Sequence, residues 1–240
     1  LYDLEEGIAV LEMCSLKNFN GMNLDISRQL HAHVNTLKTR KDIKCVILRG
    51  YKRHFCTGAD PSWVANIEGK SHLRMALEVY EIYRDYASIL ELNVPVIGML
   101  NGRIVGGGLA LSLNCDWRVA LKTSTIDFGN LPRGVCPGMM LSANMESFVK
   151  RGYSFNMYLQ PGSYGMSMEE ALELGIIQEI AESFEDLQEK ALLKAREIVK
   201  ASKQYQGIDR SILLMRTPLN TELIMKEAYL LAECAVYTDM

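Results

Sequence analysis

No CxxC pair and no His-rich spacing accompanies the six cysteines, Cys14, Cys45, Cys56, Cys115, Cys136 and Cys234, each of which stands alone in the sequence. That pattern argues against structural zinc and a disulfide scaffold, and it predicts reduced thiols in a cytoplasmic protein without a metal site. Basic runs are missing too. The 26 Lys and Arg are balanced by 29 Asp and Glu, a formal net charge of −3, so nucleic acid is not an expected partner. No apolar stretch approaches the roughly 18 residues needed to cross a bilayer, and no charged start precedes an apolar core at the N-terminus; a soluble chain without a membrane partner is expected. Repeats, low-complexity tracts and a linker rich in Gly, Pro or Ser are absent, so the 240 residues read as one domain with a large core. The chain opens on Leu1 and enters a strand almost at once, which points to a trimmed or excised polypeptide.

Apolar runs at 7–13 (GIAVLEM) and 43–48 (IKCVIL) read as strands, and Ile26, Leu30, Val34 and Leu37 between them recur at helical spacing over 25–40. The pattern repeats. A helix over 74–92 carries Leu77, Tyr80, Ile82, Tyr83 and Tyr86, then come a buried strand at 94–100 (VPVIGML), a helix opening at a run of glycines, and a strand at 117–121. This alternation predicts an α/β core with crossover helices packed on a sheet. After Pro137 the character turns helical: Ser167 and Glu170 are spaced as a capping box, Gly175 as its stop, and Ser183 opens a helix to about 201. Pro218 takes a first-turn place before a helix over 219–237. Residues 1–180 are assigned to the core, and 181–240 to a helical region of the same domain.

Two segments carry chemistry. In the first, His54-Phe55-Cys56-Thr57-Gly58-Ala59-Asp60, a glycine turn after a strand can present a backbone amide outward or be an ordinary loop. In the second, Gly106-Gly107-Gly108 opens a helix, where free N–H groups favour negative charge and glycine permits close approach, although such a run also serves as a tight packing site.

Taken in order, FCTGAD, the triple glycine, Cys115-Asp116-Trp117-Arg118-Val119-Ala120, Phe128-Gly129 and Pro137-Gly138 resemble the crotonase (enoyl-CoA hydratase/isomerase) superfamily, and the likeness runs on through 167–180. The resemblance implies an α/β spiral of ββα units with a helical C-terminal region, assembled as homotrimers or hexamers. The tail from Leu219 would then pack at a subunit interface, or be absorbed by the chain's own core. It implies a substrate carried as a thioester on CoA or an acyl carrier protein, with no other cofactor. The amides of Ala59 and Gly107 would form an oxyanion hole, flanked by Gly58, Asp60, Gly106 and Gly108 as substrate-binding positions.

Two glutamates of the family's hydratases have no counterpart. The position three residues after the oxyanion glycine is Ala110; counts from Phe128 and Gly134 for the second end on Pro132 and Asn130, in a loop two residues shorter. Without them water addition loses both its acid and its base. The loop 130–139 (NLPRGVCPGM) is similar to that of polyketide-branching crotonases that decarboxylate a glutaconyl thioester, although the lysine expected on the preceding helix is missing.

Each remaining candidate has two readings. Tyr86 can orient a carboxylate or donate the final proton, or it can fill the core; Tyr83 is similar. Arg84 can clamp a carboxylate or face solvent. Asn130 can hydrogen-bond where a glutamate is lost, or merely make a turn, and Arg133 can reach a phosphate or carboxylate, or lie on the surface. Cys136 lines the site or packs, Asp60 contacts substrate or caps the following helix, and His54 is a surface or packing residue. The leading expectation is a lyase that decarboxylates an acyl thioester in polyketide biosynthesis. An isomerase, dehydratase or hydratase with non-glutamate groups is the alternative, and a silent scaffold module of a synthase is the alternative from another class.

Overall fold

Near-continuous apolar runs form strands that can be buried on both faces, and the computed structural model sets such strands side by side. It describes residues 1–5, 7–15, 18–67, 70–128, 134–159, 165–203 and 218–237. β1 (Tyr2–Glu5) lies antiparallel at the edge of β2 (Ile8–Met13). Beyond it β3 (Cys45–Gly50), β4 (Val96–Leu100), β6 (Trp117–Leu121) and β8 (Glu179–Ala181) continue in parallel, giving the order β1-β2-β3-β4-β6-β8. Ile8 faces Cys45, Val46 faces Val96 and Ile97 faces Trp117. β5 (Arg103–Val105) and β7 (Thr125–Asp127) pair in a small second sheet. Three-residue strands such as these carry too little alternation to be read from sequence, and β1 was likewise not expected.

The strand alternation divides the core. Ala9, Leu11, Val46, Leu48, Val96 and Leu100 belong to one layer, which holds α1 (Leu24–Thr39) through Leu30, Val34 and Leu37. Ile8, Val10, Cys45, Ile47, Ile97 and Met99 belong to the other, closed by Leu187, Ala191 and Ala195 of α8 (Phe184–Ser202). Side-chain caps fix the helix starts: Asn23 accepts from the Ile26 amide, Ser183 from that of Asp186, and Ser167 from that of Glu170 at α7 (Met168–Glu173). Gly175, at φ +77°, ends that last helix as expected.

Three short helices complete this part: α2 (Pro61–Ile67), α4 (Gly107–Leu113) and α5 (Leu141–Asn144), followed by α6 (Arg151–Leu159). The helix expected over 74–92 is α3 (His72–Ala87) plus a 3-10 turn at Ser88–Glu91. The Ser88 hydroxyl donates to the Asp85 carbonyl at 2.6 Å, competing with the regular ladder where the helix tightens. The last helix, α9 (Thr221–Tyr237), starts later than Pro218 suggests, because Asn220 takes the capping role: its side chain accepts from the Leu223 amide at 2.9 Å. Ala232 packs with Met75 and Ala76 of α3, and Ile224 with Ala87. That face of α9 is therefore absorbed within the chain, while Met225, Tyr229 and Leu230 stay exposed.

Candidate active site

The 55–60 segment is held between two neighbours. On one side Met22 bridges Ala59 in parallel fashion: the Met22 amide donates to Gly58 O at 2.7 Å and the Asp60 amide to Met22 O at 2.9 Å. In a parallel bridge the flanking groups make the bonds, so the N–H of Ala59 points away from Met22. On the other side Cys56 bridges Ile104 of β5. Gly58 has φ +85°, and a methyl there would lie 2.9 Å from Val105 O and 3.9 Å from the Gly107 nitrogen. Glycine is thus required both for the backbone angle and for the closeness of the two chains. Ala59 and Gly107 both line one cleft, and neither amide donates to another described residue. Backbone amides without a described acceptor, on residues that line one cavity, are the kind of donor a developing oxyanion requires.

The cleft measures about 430 Å³. Its walls come from Met22, Trp63, Val64 and Ile82, and from Val135 and Cys136; Leu231 and Ala235 of α9 close it. Tyr83 is its phenol, lying against Gly138, where a methyl would collide with the ring. Burial is the main force raising the Tyr83 phenol above its ordinary range, helped by the neighbouring Cys136, Glu227 and Cys234, so it keeps its proton. Cys136 is pushed up to about 12, again mainly by burial, and is a neutral thiol rather than a nucleophile. Gly138→Ala is expected to turn the Tyr83 phenol out of place and cost about 1–3 kcal/mol by overpacking; urea unfolding reads the cost, and an unchanged midpoint would contradict the contact.

Glu227 escaped the sequence reading. A single acid on the apolar face of a long helix is its only sequence signal. It is buried, and its carboxylate accepts from the Met140 amide at 2.8 Å and the Ser142 hydroxyl at 2.5 Å, tying α9 to the turn before α5. Burial raises this carboxyl, and the bonds from Ser142 and Met140 offset the rise only in part. A carboxyl raised by folding favours the folded state below its unfolded pKa, and that contribution is lost as pH climbs through the folded value. Glu227→Gln, neutral throughout, should therefore gain stability relative to wild type as pH rises from about 4 to about 8. Urea titrations across that range test it; a constant difference would refute the raised carboxyl.

Several expectations need correction. Tyr86 does not line the cleft: it is fully buried in the core with Phe55 and Leu30, its hydroxyl meets no partner in hydrogen-bond geometry, and burial raises its pKa well above the ordinary range against the lowering effect of the nearby Asn23 amide. Of the two tyrosines, Tyr83 faces the cleft. Asp60 is not free for substrate, since Asn18, Asn23 and Ser62 occupy its carboxylate and it caps α2. Gly106 lines the cleft as expected, with its amide spent on Asp127 O at 3.0 Å, whereas Gly108 does not line it and sits against the Cys56 carbonyl. His54 accepts from the Arg103 amide and stacks edge-on with Phe19, a packing role. Arg84 pairs with Asp85 at 2.7 Å rather than reaching the cleft. Ala110 is a buried core methyl. Asn130 and Arg133 lie outside the described residues.

The six-stranded spiral sheet, with a small second sheet beside it and a cleft lined by Ala59 and Gly107, defines an α/β fold of the crotonase type. Residues 3–225 match the enoyl-CoA hydratase/isomerase family, and the chain belongs to it. Among its relatives, enoyl-CoA hydratase AFT3-1 of Alternaria alternata is 24% identical over 238 residues, spanning 97% of this chain and 76% of that protein. The short-chain-enoyl-CoA hydratase of Clostridium acetobutylicum is 23% identical over 241 residues, spanning 98% and 88%. The crystal structure of an enoyl-CoA hydratase from Bacillus halodurans shares the fold, with TM-score 0.82 at 19% identity over 97% of this chain and 93% of that one.

Proposed function

We propose that this chain is an acyl-thioester lyase that decarboxylates a β-carboxylated or vinylogously carboxylated acyl group carried on CoA or on an acyl carrier protein, in polyketide assembly. The observation that carries this reading is the cleft wall: among its described residues there is no Asp, Glu, His or Lys beside the two free amides. In decarboxylation the carbon–carboxylate bond breaks, carbon dioxide leaves, and the electron pair passes into an enolate whose oxygen rests on the Ala59 and Gly107 amides. An apolar wall favours that step by leaving the departing carboxylate poorly solvated. A proton then adds to carbon, from the Tyr83 phenol or from water that it orients.

Water addition instead demands an acid and a base. Ala110 offers neither, and 129–133 reads Gly-Asn-Leu-Pro-Arg, without a carboxylate. The test is incubation with glutaconyl-CoA and with glutaconyl carrier protein, followed by mass spectrometry. Loss of carbon dioxide is the expected result. Deuterium uptake without carbon loss would replace the reading with an isomerase, and tight binding without turnover would replace it with a silent module.

A further inference from the structure

Asp60 presents a buried carboxylate that the chemistry above does not use. It is 1% exposed. One oxygen, Oδ2, accepts from Asn18 Nδ2 at 2.5 Å and Asn23 Nδ2 at 3.0 Å; the other, Oδ1, accepts from the Ser62 amide at 2.9 Å and its hydroxyl at 2.7 Å. Every donor is neutral, and no ion pair reaches Asp60 among the described residues. The donors come from both sides of Ala59: Asn18 and Asn23 flank Met22, which bridges Ala59, and Ser62 opens α2.

The 18–23 turn that supplies them is itself heavily fixed. Phe19 and Asn20 both take left-handed backbone angles, φ 51° and 59°, a conformation that costs roughly 1–2 kcal/mol per residue for side chains other than glycine. Asn20 holds the turn there: its Oδ1 accepts from the Ser15 amide at 2.8 Å, and its Nδ2 donates to Tyr51 O at 3.1 Å and His54 O at 2.6 Å. At Gly21 a methyl would lie 3.1 Å from the Asp60 Cα, so the turn presses directly on the oxyanion segment.

We propose that Asp60 is the positioning residue of the oxyanion hole: by gathering Asn18, Asn23 and Ser62 it locks the 18–23 turn against residues 58–60 and fixes the direction of the Ala59 N–H. The inference rests on the thioester reading above. Its electrostatic sign is informative. A carboxylate behind an oxyanion hole opposes the developing negative charge, so removing that charge alone would speed the reaction. Positioning predicts the opposite, because Asp60→Asn turns a donor toward Asn18 and Asn23, which are donors already.

The test uses butyryl-CoA labelled with a heavy isotope at its carbonyl carbon, bound to the full chain and followed by difference infrared spectroscopy. In the wild type the carbonyl stretch shifts to lower frequency on binding. With Asp60→Asn most of that shift is lost, and turnover of glutaconyl thioester falls about ten-fold or more, with KM within about three-fold. Combining Asp60→Asn with Asn23→Asp puts the acceptor at position 23 and the donor at position 60, which remakes that contact but not the one with Asn18, and recovers part of both the shift and the turnover. If Asp60→Asn does not fold, Asn18→Ala, which deletes a single donor, loses part of the shift. An Asp60→Asn or Asn18→Ala protein that keeps the full wild-type shift overturns the proposal while leaving the thioester reading intact. Failure of the charge-swapped pair to recover either property overturns it as well. Absence of any shift in the wild type overturns the thioester reading and this inference with it.

Discussion

Replacing Ala59 by proline lowers turnover about 10²- to 10³-fold, the effect of losing one oxyanion donor, while the fold survives. The expectation follows from how position 59 is bonded. Its neighbours make the ladder, Gly58 through its carbonyl and Asp60 through its amide, both to Met22. The Ala59 N–H joins no described partner, so proline deletes an amide of the cleft lining without removing any described hydrogen bond of the segment. Steady-state kinetics on the thioester that the wild type turns over, together with thermal unfolding, separate the two effects. Turnover within about three-fold of wild type in a folded protein would show that the Ala59 amide does not stabilise the transition state.

The second large effect distinguishes neighbours within the triple glycine. A methyl at Gly108 would overlap the carbonyl oxygen of Cys56, and both groups are main chain. Neither can turn away. Gly108→Ala should therefore destabilise the protein by about 3 kcal/mol or more, at or beyond the upper end of ordinary overpacking, and push α4 away from the 55–60 segment. A methyl at Gly107 would press on the sulfur of Met22 and touch its terminal methyl and the sulfur of Met139, all of them atoms of flexible side chains. Gly107→Ala should cost about 1 kcal/mol or less and act mainly on the shape of the cleft. Urea unfolding of the two variants side by side checks the contrast; equal midpoints would contradict it.

How much of this was legible depended on the range of the interaction involved. β3 and β4 announced themselves because strands buried on both faces read as near-continuous apolar runs, and Ser167 and Ser183 cap helices through bonds only three residues long. The FCTGAD and triple-glycine segments were legible as marks of the family. Where each side chain points was a different matter: Tyr83 and Tyr86 stand three apart on α3, close enough for helical spacing to turn both inward. Only the packing of α1 and α9 around α3 decides that Tyr86 enters the core and Tyr83 meets the cleft. Capping was one of two roles open to Asp60, and the bonds to Asn18 and Asn23 that leave its carboxylate no room for substrate cross some forty positions of sequence without a local trace. The contributions of Met22, Leu231 and Glu227 were invisible for the same reason.

The closure of the cleft by α9 sets an order of events. Trp63 and Leu231 belong to one cavity although most of the chain lies between them, and contacts so remote in sequence form late, because the intervening loop must close first. Ala59 and Gly107, on the opposite wall, belong to segments much nearer each other in sequence. Whenever α9 leaves α3, the cleft loses the part of its wall made by Leu231 and Ala235 and opens to solvent along that seam. A thioester bound across that seam favours the docked state by mass action. Substrate would therefore act as a clasp, slowing proteolysis of α9 in proportion to its occupancy.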